Sequence, residues 1–97
     1  MKFYWDERKN KENIRKHGFD FADAAEVFDF PMLASMDSRM AYGEYRFVGI
    51  GFLWERVVVV VFVEEDDDTI RIISLRKALK HERERFEEFL RNELGED

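Results

Sequence analysis

The sequence predicts an α+β fold, an antiparallel sheet with helices on one face, in the element order β-α-α-β-β-β-β-α. Three observations predict it. Segments with helical spacing of apolar residues flank a middle stretch whose period shortens to that of strands. Successive strand signals in that stretch are separated by turns too short for a parallel crossover, which implies an antiparallel meander. Residues 57–63, five consecutive valines followed by Phe62 and Val63, form an apolar run fitted to a strand covered on both faces.

Phe3-Tyr4-Trp5 is a short aromatic strand signal. Asp6 is placed to cap a polar helix over residues 7–17, and Gly18 suits the left-handed position that ends it. The inward stripe expected for this helix is Asn10, Ile14 and His17. Asp20 opens a second helix with Phe21, Ala24, Ala25 and Phe28 on one face, stopped by Pro31. Residues 31–36 suit an edge strand, and 38–44, with Gly43, a loop. Strands are expected over 45–52, 57–63 and 69–75, with a hairpin turn at 53–56 and a charged turn at 64–68. The last helix is expected over 76–94, burying Leu79, Phe86, Phe89, Leu90 and Leu94.

Ninety-seven residues are too few for two cores, so a single domain over 1–97 is expected. Cysteine is absent, which excludes disulfides and thiolate metal sites. The longest apolar run is far below the ~20 residues of a membrane-spanning helix, and the first six residues become charged too soon for a secretory signal. A cytoplasmic location is the resulting expectation. The net charge of −6 argues against RNA binding by global charge. The acids, however, concentrate at 64–68 and 82–97, leaving basic clusters at 8–16 and 71–80 whose local field a ligand would feel.

Several blocks, taken in order, resemble the BrnT family of bacterial toxins. They are Trp5-Asp6, Lys16-His17-Gly18 and the run from Phe21 to Phe28; then Tyr42-Gly43-Glu44, Arg46 and Gly49-Ile50-Gly51; and finally Arg71-Ile72-Ile73-Ser74, Arg76-Lys77-Ala78 and Glu82-Arg83. The resemblance implies a fold similar to RelE-type small ribonucleases and RNA cleavage with no metal and no cofactor. It also implies a hetero-oligomer with a BrnA-type antitoxin, whose ribbon-helix-helix part reads DNA while this chain does not. Four positions depart from the family's pattern: Met40 where members often have His, Glu64 in place of a Tyr-Thr-Arg-like stretch, Leu75 for Ala, and Phe86 for Tyr. If these four line the basic surface, a protein that binds its antitoxin without cleaving RNA becomes the better reading.

Metal-free RNA cleavage needs a base for the 2′-OH, an acid for the leaving 5′-oxygen, and cations for the charge growing on phosphorus. Arg71 and Arg76 are the leading candidates for phosphate clamping, because a guanidinium pairs two phosphate oxygens at once. Arg71 projects onto the open face if Ile70 and Ile72 pack beneath the helices. Arg76 lies near the start of the last helix, where unpaired backbone N–H groups favour anions. Salt bridges to the acidic turn or to Glu82 are the competing roles for both arginines. Arg46 on the neighbouring strand reaches the same surface or makes a cross-strand ion pair. Glu44 is the candidate base, or else a solvated loop carboxylate. His17, at a helix C-terminus, suits a proton donor or a simple cap. Lys9, Arg15, Lys16 and Lys77 are the candidate RNA-facing rim. Ser74 lacks the surroundings of a nucleophile, and residues 64–68 lack the ligand pattern of a calcium loop, so no metal site is expected.

Overall fold

A computed structural model describes residues 1–37 and 43–95; the expectations placed on Met40, Tyr42 and the loop around them lie outside the described residues. The elements are β1 (Lys2–Trp5), α1 (Glu7–His17), a 3-10 helix (Phe21–Asp29), β2 (Leu33–Met36), β3 (Phe47–Leu53), β4 (Arg56–Asp66), β5 (Thr69–Lys77) and α2 (Lys80–Glu93). One five-stranded sheet has the order β1-β5-β4-β3-β2, with β4 in the middle as its two apolar faces predict.

The sheet is mixed, which corrects the purely antiparallel expectation. The meander β2-β3-β4-β5 is antiparallel, but β1 joins β5 in parallel, with Phe3 opposite Ile70, Tyr4 opposite Arg71 and Trp5 opposite Ile72. Phe3 and Trp5 thereby pack against the same core as Ile70 and Ile72, while Tyr4 points to the other side.

The helices lie on both faces, a second correction. On one face α1 and the 3-10 helix enclose Phe19, Phe21, Ala24, Val27, Val58, Val60, Phe62, Ile70, Ile72 and Leu75. On the other, Phe86 of α2 buries itself against Ile50, Val59 and Ala78, with Phe52 edge-on at 5.0 Å. The physical reason is that β3 and β4 are apolar on both sides, so one layer of helices leaves half of that surface wet. Leu79 and Leu94, expected inside, are exposed because they cap the two ends of α2 rather than lying within it. Strand β5 runs on to Lys77, so the helix begins four residues later than its sequence pattern suggests.

The inward side of α1 is polar. Asn10 and Asn13 are its buried residues, whereas Ile14 and His17 are exposed. Beyond Trp5 no strand among the described residues lies beside the edge of β5, and Asn13 takes that place. Its amide donates to Leu75 O at 2.8 Å and to Phe19 O at 2.9 Å, while its oxygen accepts from Leu75 N at 3.2 Å. Asn10 likewise donates to Asp20 and accepts from Phe21 N. Buried backbone groups need such partners, so α1 is fixed by hydrogen bonds where an apolar stripe was expected.

The second helix is 3-10 rather than α. Phe21, Ala24 and Val27, three residues apart, are its buried positions, the repeat of a three-residue turn. Its close seat on β3 requires glycine: a Cβ on Gly51 would stand 2.9 Å from Val27 Cγ1. In β5 a bulge at Ile73 resets the alternation, so that Ile72 and Leu75 face the same core although three residues apart.

Candidate functional site

Because α2 covers the end of its face nearest the β3–β4 hairpin, the opposite end of that face stays uncovered. Arg71 projects there, as its flanking isoleucines imply. Both oxygens of Glu44 accept from Arg71 Nη2, and Glu65 Oε1 accepts from Arg71 Nε at 2.9 Å. The Tyr4 hydroxyl donates to the same Glu65 oxygen. Each of the three charged side chains is about one third exposed or less. Burial alone would lower the pKa of Arg71, but the bonds and charge of Glu44, with Glu65 behind them, outweigh it and leave it above its ordinary value. The bond to Glu65 raises the Tyr4 hydroxyl.

Arg46 is half-buried one residue before β3, and its carbonyl accepts from Asp37 N–H at 2.7 Å. The next residue, Phe47, stacks on Phe62 in the α1-side core. The pleat therefore turns Arg46 to the face that carries Arg71. Glu44 and Arg71 are thus in direct contact, with Arg46 on the same face. Tyr4 and Glu65 complete this group, and the sequence reading missed both. A parallel β1–β5 pairing was the signal that would have found Tyr4; bulging at Glu65 hid the other.

Arg76 does not join them. Its register partner is Val59, four residues along β4 from the Val63 that faces Arg71, a separation of about 13 Å at ~3.3 Å per residue. Its guanidinium makes a two-pronged pair with Glu82, both bonds 2.9 Å, and Glu82 also accepts from Leu79 N–H at 2.8 Å. The anion at the start of α2 is therefore the chain's own carboxylate. Held first by Arg76 and then by the Leu79 amide, Glu82 falls from the usual carboxylate range to about 2.

The remaining predicted residues, Lys77 apart, lie along α1. Lys9, Lys16 and His17, with Asn13, line a recess of about 280 Å³ against Ile73 and Ser74 of β5. Ser74 stands two register steps from Arg71 on the same face, on the order of 7 Å along the strand. Arg15 pairs with Glu12, and Lys16 lies 3.8 Å from the same carboxylate. The helix carries five bases against two acids, a net +3, leaving −9 on the remainder of a chain whose total is −6. Lys77 ends β5, exposed, beside this helix's strand edge. Leu75 and Phe86, two of the four departures, are completely buried and belong to the two cores, not to the basic surface. Glu64 is exposed on β4.

The family described as the ribonuclease toxin BrnT of type II toxin–antitoxin systems matches residues 5–82, from the end of β1 into α2. The chain belongs to this family. Its fold is similar to the crystal structure of the Brucella abortus ribonuclease toxin BrnT, with 34% identity and a TM-score of 0.63 over 82% of this chain and 99% of that one. No curated protein matches the chain. Family membership makes this a BrnT-type toxin whose system includes an antitoxin and whose target is RNA. No helix among the described residues is long and apolar enough to cross a membrane.

Proposed function

We propose that this BrnT-family chain is a metal-independent endoribonuclease, held inactive in the cytoplasm by a BrnA-type ribbon-helix-helix antitoxin. Its reaction centre is the Glu44–Arg71 pair on the uncovered end of the sheet. The observation that carries the reading is that a guanidinium braced by two carboxylates stands on the uncovered end of the sheet, while α1, of net charge +3, lines the edge of the same strand at Ile73 and Ser74. RNA lies along α1 with its phosphates on Lys9, Lys16 and Arg15, and Lys77 extends the rim. Glu44 takes the proton of a 2′-OH; the 2′-oxygen attacks phosphorus and the 5′-oxygen leaves. Arg71, with Arg46, stabilises the added charge on the phosphoryl oxygens. His17, at the mouth of the α1 recess, returns a proton to the leaving oxygen. The products are a 2′,3′-cyclic phosphate and a 5′-hydroxyl, so atoms and charge balance without a metal. Arg76, engaged by Glu82, anchors the start of α2.

One observation favours a second reading. The guanidiniums of Arg71 and Arg76 are both neutralised by carboxylates, as suits a toxin-fold protein that binds its antitoxin and cleaves nothing. Induced expression with and without the antitoxin separates the two. The nuclease reading expects growth arrest with RNA decay, relieved by the antitoxin and by Arg71→Ala; growth indifferent to this chain contradicts it.

A further inference from the structure

The β3–β4 hairpin closes through Trp54 and Glu55, and Trp54 has φ +57°, the one positive value at a non-glycine among the described residues. Glycine or asparagine is the usual choice there, since a Cβ is strained in this conformation. The strain gains no packing: Trp54 is 60% exposed, and its indole N–H makes no hydrogen bond among the described residues. Beside it Phe30, 56% exposed, ends the 3-10 helix. These two rings and the carboxylates of Glu26 and Asp29 line a recess of about 330 Å³. Neither carboxylate has an ion-pair partner among the described residues. Arg56, the basic residue closing the same hairpin, lies over Phe19 instead, 5.9 Å from its ring centroid.

We infer that this recess seats an arginine or lysine side chain of the antitoxin, an inference that rests on the toxin–antitoxin reading. Two exposed rings supply the faces a cation stacks on, and two unpaired carboxylates supply its counter-charge. A chain of net charge −6 attracts a basic segment toward such a point. A desolvated aromatic anchor paired with arginine is also the common centre of binding energy at protein interfaces. The hairpin lies seven register steps along β4 from the residue facing Arg71, about 23 Å away. The antitoxin therefore grips the toxin at a point separate from the residues that act on RNA.

The test measures affinity of the full chain for its cognate antitoxin, by calorimetry at two salt concentrations, together with RNA cleavage by the antitoxin-free chain. Trp54→Ala should weaken the complex about thirtyfold, as expected for a principal anchor, and leave cleavage unchanged. The double change Glu26→Gln with Asp29→Asn should weaken it at low salt and flatten its salt dependence. Trp54→Gly, which relieves the backbone, guards against misfolding: it should unfold no more readily than wild type and still lose affinity. Wild-type affinity in all three variants overturns this inference while leaving the toxin–antitoxin reading intact. Altered self-association of the free chain with unchanged antitoxin binding also overturns it, assigning the recess to a second copy. A wild-type chain that does not bind the antitoxin overturns both.

Discussion

Replacing Glu82 by glutamine isolates the charge of the Arg76–Glu82 pair, because the amide oxygen can still accept from Leu79 N–H and so retains that cap. The Glu82 carboxyl titrates at about 2 in the folded chain against an ordinary 4.5. That difference corresponds to about 3 kcal/mol at ~1.4 kcal/mol per pH unit. With Arg76 one third exposed and Glu82 14% exposed, solvent screening reduces it to about 2 kcal/mol. A depressed folded pKa contributes stability that is complete above the unfolded value and disappears as pH falls through the folded one. Glu82→Gln should therefore cost about 2 kcal/mol at pH 7, a large share of the ~5–15 kcal/mol that holds a domain together. The gap between variant and wild type should narrow from pH 4.5 downward and close near pH 2. Urea denaturation of both proteins across this range reads the gap directly, since all other carboxylates titrate alike in the pair. A loss below about 0.5 kcal/mol at pH 7, or one independent of pH, refutes the assignment.

Other consequences follow from the packing and the charges. Asn13→Ala leaves Leu75 N–H and the carbonyls of Leu75 and Phe19 without their partner, so thermal denaturation should show a loss of about 3 kcal/mol, with faster hydrogen exchange at Leu75. Gly51→Ala drives a methyl group into the stiff, buried Val27 and should cost about 1–3 kcal/mol. Gly49→Ala should cost less, because the contact it makes is with the flexible thioether of Met32. Replacing Lys9 and Lys16 together by alanine should weaken RNA binding and reduce its log–log salt slope by about 1 to 2.

How much of this was legible in the sequence depended on how local each signal is. The bounds of α1 follow from Asp6 and Gly18, and both caps are seen: Asp6 accepts from Arg8 N and Lys9 N, and Gly18 is left-handed at φ +76°. The central place of β4 follows from its valines, and the outward aim of Arg71 from Ile70 and Ile72. What local pattern does not encode is which distant edge a strand chooses. Tyr4 reaches Arg71 across nearly seventy residues of chain through a parallel pairing that nothing near Tyr4 announces. Asn13 is absent from the expected inward stripe because a polar side chain in a polar helix gives no hint that it completes a strand edge. Arg76 and Glu82, six residues apart, look like two charges at a junction. Only the turn from β5 into α2 makes them a half-buried pair that takes Arg76 out of the phosphate-binding group.

Incubation of purified, antitoxin-free protein with end-labelled RNA in the presence of a chelator tests the central claim most directly. The account predicts cleavage that leaves cyclic phosphate ends and slows about 100-fold or more in a folded Arg71→Ala variant. Cleavage that needs a divalent cation, or that proceeds at the wild-type rate without Arg71, contradicts it.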